Sequence, residues 1–136
     1  MTAKFLLPLI CFFIFSNLQA QTETYNLAEV DTAPAIGDCA DGDPKVCFEN
    51  DLKLHITKTM NIAKLNMGIG TKAYAQFEIS ETGKVENIQV RSHDKKLTKE
   101  TERILKKLNI QSPAMKDGVP VKMRHTVPVS FNKIII

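Results

Sequence analysis

The chain has no tryptophan, and aromatic residues fill only 7% of its 136 positions. Bases stack on aromatic platforms set between cations. No such stripe occurs here, and a formal charge of +3 is too small to hold a phosphate backbone, so nucleic acid is not an expected partner. The residue patterns of catalysis are missing as well. There is no Gly-x-Ser-x-Gly elbow, phosphate loop or His-Glu-x-x-His pair. His55, His93 and His125 are scattered, and the adjacency of His93 to Asp94 does not make a dyad. A binding or structural protein is expected rather than an enzyme, with no cofactor. Cysteine is scarce. Cys39 and Cys47 have no histidine near them, and their spacing is too long for a Cys-x-x-Cys knuckle or redox pair. Asp38, Asp41 and Asp43 lack the spacing and terminal bidentate glutamate of a calcium loop. They read as a polar turn, and no metal is expected.

A long hydrophobic run is also lacking. The apolar stretch at residues 5–15 follows Lys4 and is too short to span a bilayer comfortably. Residues 16–20 then offer a small-residue cleavage site after Ala20. A signal peptide over residues 1–20 is the first expectation; an anchor through residues 5–18 is the alternative. Cys11 follows Ile10, which is too bulky for a lipoprotein site. Export leaves Cys39 and Cys47 as an even pair in an oxidising compartment, which predicts a disulfide. Closing so short a loop contributes roughly 2–3 kcal/mol on the chain-entropy model.

Residues 21–37 have no periodicity and read as a short leader, with Val30 to Ile36 able to pack on the domain that follows at 38–136. In residues 46–63, Phe48, Leu52, Ile56, Met60 and Ala63 recur at helical spacing, with Asp43 and Pro44 as cap and first turn. His55 flanks that stripe. The glycines at 68 and 70 stop the helix. Residues 71–80 alternate, with Ala73, Ala75, Phe77 and Ile79 on one face. Glu81-Thr82-Gly83-Lys84 is a hairpin turn, and residues 85–91 return. The pattern slips between Val85 and Ile88, where a bulge fits. A second helix over 95–109 buries Leu97, Thr101, Ile104, Leu105 and Leu108 and turns Glu100 and Arg103 to water, capped by Asp94 or Ser92. Residues 110–115 read as a connector. The expected fold is α+β: a two-layer sandwich in the order α-β-β-α-β, with both helices on one face of a three-stranded antiparallel sheet.

The last strand begins after the turn signal Lys116-Asp117-Gly118. Val121, Met123, His125, Val127, Val129 and Phe131 share one face; Lys122, Arg124, Thr126, Pro128 and Ser130 share the other. Pro120 and Pro128 have the same parity, so both missing N–H groups point one way. That predicts an edge strand whose even positions face the open edge. Lys122 and Arg124 on such an edge either guard against aggregation or border a docking site for a peptide. His125 reads as a core or rim residue. A third use of the edge is pairing with a second copy in a two-fold homodimer.

Tyr74-Ala-Gln-Phe-Glu-Ile-Ser-Glu-Thr-Gly-Lys-Val-Glu-Asn-Ile-Gln-Val90 resembles the first hairpin of the TonB C-terminal domain family, and the helix from Leu97 to Leu108 is similar to the one that follows there. Ser112-Pro-Ala-Met-Lys-Asp-Gly-Val-Pro-Val-Lys-Met-Arg-His-Thr-Val-Pro-Val-Ser-Phe131 resembles the family's ending. Gly37-Asp-Cys39 with Cys47-Phe48 is similar to a leader of Bacteroidetes-type members. The resemblance implies a periplasmic module of energy transduction for outer-membrane transport, one that grips a receptor segment by adding it as a strand. The docking strand would be residues 121–129, with Val121, Lys122, Met123, Arg124, His125, Thr126 and Val127 as its binding residues. The partner implied is the TonB-box segment of an outer-membrane receptor.

Overall fold

The computed structural model describes residues 23–40, 42–61 and 71–131. The expected signal segment at 1–20, Ala63 and the glycine stop at 66–70 lie outside them. Seven elements follow in order: β1 (Thr24–Tyr25), α1 (Pro44–Thr59), β2 (Thr71–Ile79), β3 (Val85–Ser92), α2 (Lys95–Lys106), β4 (Ala114–Lys116) and β5 (Val119–Phe131).

Both helices start where their side chains dictate. Asp43 Oδ1 accepts from the Lys45 amide at 2.9 Å, with Pro44 supplying a first-turn residue whose missing N–H costs nothing. Asp94 Oδ1 accepts from Lys96 and Leu97 at 2.8 and 3.1 Å, satisfying donors that have no partner inside the helix. The buried stripe of α1 is Phe48, Leu52 and Ile56; that of α2 includes Leu97, Ile104 and Leu105. Both stripes join Ala73, Ala75, Phe77, Ile79, Met123, Val127 and Val129 of the sheet in one core. His55 Nε2 donates to the Ile104 carbonyl at 2.8 Å and ties the helices together. Among the described residues no helix is long and apolar enough to cross a membrane.

The helix–strand–strand–helix–strand frame and the two layers are present, but the sheet has five strands and is mixed. Its order is β1-β5-β2-β3, with β4 paired to β5 off that path. β2 pairs antiparallel with both β3 and β5, and β1 pairs parallel with β5. The connector holds β4, which forms a hairpin with β5 through Asp117 and Gly118, at φ 51° and 78°. Positive φ at both central residues is what a two-residue loop needs to match strand twist. The β2–β3 register shifts between Gln76 and Glu78, leaving an extra residue on β3 where Asn87 sits at φ 51°. This is the bulge that the slipped periodicity predicts.

The leader is part of the fold. Its Val30, Ala33 and Pro34 are buried. Its backbone bonds to Met115 and Ser112 through Asp31, Thr32 and Ala35 at 2.9–3.1 Å. The disulfide between Cys39 and Cys47 joins the leader's end to the first turn of α1, with the Cα atoms 5.9 Å apart. One expectation fails on α2: Glu100 is buried, not solvated. Its carboxylate accepts from the Asn61 amide at 3.0 Å and from Arg103, which donates in turn to the Thr59 carbonyl at 2.8 Å. The pair caps the end of α1, a neighbour that helical periodicity within α2 does not reveal.

Candidate functional site

β5 alternates as its sequence implies. Met123, Val127 and Val129 are buried against the helices and His125 is half-buried, while Arg124, Thr126, Pro128 and Ser130 are exposed. Pairing with β2 runs unbroken from Thr71 opposite Phe131 to Ile79 opposite Met123, straight through Pro128 opposite Tyr74. A ladder that tolerates a proline places that residue's missing N–H on the far side. The even amides of β5 therefore point away from β2.

That far side is not wholly open. β1 lies along it, with Thr24 opposite Lys122 and Tyr25 opposite Met123; Val121, an odd residue, turns its amide the other way and pairs with Ala114 of β4. The expectation of a free edge is thus corrected at Lys122 and Met123, where β1 is the outer strand. Two residues have no periodicity to read, and their pairing depends on β5 rather than on their own sequence. Beyond them the leader leaves the sheet. Asn26 Oδ1 accepts from Ala28 and Glu29 amides at 2.9 and 3.1 Å, turning the chain away. From Arg124 to Ser130, among the described residues, no strand pairs with this side of β5. Arg124, His125, Thr126 and Val127 of the expected site fall in the open stretch.

The cations of β5 have partners within the protein. Arg124 Nη2 donates to Glu78 Oε1 at 3.0 Å, and Lys122 Nζ lies 3.3 Å from Glu86 and 3.7 Å from Glu78. Asn87 Nδ2 donates to Glu78 Oε2 at 2.9 Å. The Asn87 hydrogen bond, joined by Arg124 and Lys122, holds the Glu78 carboxyl below its ordinary range despite burial. The Glu86 carboxylate raises Lys122. Sequence reasoning placed Lys122 and Arg124 on the edge and missed these acceptors, although the slip at Asn87 marked the place.

A groove of about 710 Å³ opens on the helix side where β1 ends. Tyr25 to Glu29 form one wall, Lys45, Val46 and Glu49 of α1 the other, and Arg124, His125 and Thr126 the floor. His125 stands edge-on to Phe48 and Phe77, with ring centroids 5.2 and 6.1 Å away. Burial lowers its pKa, with Glu49 opposing in part. Among the described residues no group of histidine, cysteine, aspartate and glutamate is arranged to hold a metal ion. The arrangement offers backbone donors and acceptors along a strand edge, and beside them a side-chain groove.

The family model for the Gram-negative bacterial TonB protein C-terminal matches residues 63–132, just over half of the 136 residues. The match takes in β2 through β5 and leaves the leader, β1, the disulfide and α1 outside it. No curated protein and no solved structure matches the chain.

Proposed function

Because the chain belongs to the TonB C-terminal family, we propose that it binds an extended segment of a TonB-dependent outer-membrane receptor by taking it up as a strand along residues 124–130 of β5. The observation that carries this reading is the side of β5 beyond Tyr25, which has no strand partner among the described residues. Its other side is fixed to β2 and its inward side chains are buried. A strand so anchored is a rigid template, and the seven residues of open edge in 124–130 match an ordinary strand length of about 5–6. Each main-chain bond gained adds only about 0.5–1.5 kcal/mol net, so backbone pairing sets geometry and side chains set the choice of partner. The role is binding without catalysis or cofactor, in the periplasm, where the Cys39–Cys47 disulfide is chemically at home.

The test is a titration of the isotope-labelled full chain with the box peptide of a TonB-dependent receptor, followed by amide chemical shifts. Shifts concentrated at Thr126, Val127 and Ser130 are expected. Shifts confined to β3, the opposite edge, or none at millimolar peptide, would overturn the reading.

A further inference from the structure

The groove beside the open edge has walls built from residues outside the family match: Tyr25 and Asn26 of the leader, and Val46 and Glu49 of α1. Only its floor, Arg124 to Thr126, belongs to the matched region. Its position relative to an added strand follows from sheet geometry. Residues directly opposite one another on neighbouring strands project to the same face. His125 projects toward the helices, onto Phe48 and Phe77. A residue of an incoming strand set opposite His125 therefore sends its side chain to that side, where the groove lies.

The resident strand shows what this line accepts. Tyr25, opposite Met123, projects to the helix side and packs against the core. The position opposite His125 is the next one on the same face. Its lining sets the apolar surface of Tyr25, Leu27, Ala28 and Val46 beside the carboxylates of Glu29 and Glu49. Val46 is 53% exposed, the one large exposed aliphatic residue among those lining the groove. The two cations of the lining have partners within the protein: Lys45 Nζ donates to the Ala28 carbonyl of the facing wall at 3.2 Å and Arg124 to Glu78, outside the groove, at 3.0 Å. The turn at Asn26 closes the end of the groove, so an incoming strand cannot slide past it toward Lys122.

Building on the docking reading above, we propose that this groove is a specificity subsite for the docked segment. It takes a large apolar or aromatic side chain at the residue opposite His125, with Val46 as the contact and the Tyr25–Asn26 end of β1 as the stop that fixes register. Strand pairing at Thr126 and beyond is indifferent to side chains; this position is where partners are told apart.

The experiment selects random nonapeptides displayed on phage against the purified full chain, maps the winners by amide shifts, and repeats the selection against Val46→Asp. Val46 is exposed, so that variant keeps the fold. Winners that map to residues 124–130 and share one large apolar position are expected. That preference is lost with Val46→Asp, which also weakens the original winners about tenfold, in line with losing one buried apolar side chain. A peptide with glycine at that position binds both proteins alike. Winners mapping to residues 124–130 with no apolar preference, or one unchanged by Val46→Asp, overturn the subsite while docking stands. Winners mapping to β3, or no enrichment, overturn docking and the subsite together.

Discussion

Glu78 sits at the crossing of three strands on the solvent side of the sheet, 8% exposed, under Asn87, Arg124 and Lys122. Glu78→Gln removes the charge that these donors share and is expected to cost about 1–3 kcal/mol at neutral pH, measured by urea unfolding. Its depressed pKa gives stability that is present above the ordinary carboxylate value and lost as pH falls through the folded one. The penalty of the variant should therefore shrink in acid; an equal penalty at pH 7 and pH 3 contradicts the assignment. His125 acts in a higher window. Burial depresses its pKa, so the unfolded chain takes up a proton first. The neutral ring's contribution is complete above the ordinary value of 6.5 and is lost as pH falls below it toward the folded value. Unfolding of the wild type should lose more stability between pH 7 and pH 5 than His125→Gln does; parallel curves would sink the idea.

Within the elements, the direction of each β5 amide decides what a proline does. Thr126 shares the parity of Pro120 and Pro128, so Thr126→Pro is expected to keep the fold and abolish peptide pairing. Val127→Pro removes a bond to β2 and is expected to cost about 3 kcal/mol or more. Thermal melts and peptide titration of the two variants separate these outcomes, and similar melting losses for both would refute the parity. The disulfide is the other element-scale device: Cys39→Ser with Cys47→Ser should cost about 2–3 kcal/mol, read by chemical denaturation in non-reducing buffer. Much of this was legible before any coordinates. Asp43-Pro44, Asp94, Gly83 and Asp117-Gly118 are local instructions, and each acts within a few residues of itself. What escaped were features whose cause lies far along the chain. β1 is two residues long and is a strand only because β5 lies beside it. Glu100 sits on a polar stretch of α2, yet its partners include Asn61, beyond the end of α1. Val46 lies off the buried stripe, and only the folded leader makes it a groove wall.

For the molecule as a whole, the family-matched part from β2 to β5 is joined by an N-terminal unit that lies across part of the far side of β5. The leader bonds to Met115 of β4 through Asp31 and Thr32 and to Ser112 through Ala35, is joined to α1 by the disulfide, and among the described residues pairs with Lys122 and Met123 of β5. The same unit narrows the edge proposed for docking and walls the groove beside it. The docking reading rests on the outward amides of β5 beyond the β1 pairing being unpaired in the free protein, and native-state hydrogen exchange of the unliganded full chain reads this directly. The amides of Thr126 and Ser130 should exchange rapidly, while those of Val127 and Val129, turned toward β2, stay protected close to the global unfolding limit. Equal protection of both sets would mean that another segment already lies along this edge, and the docking reading would fail.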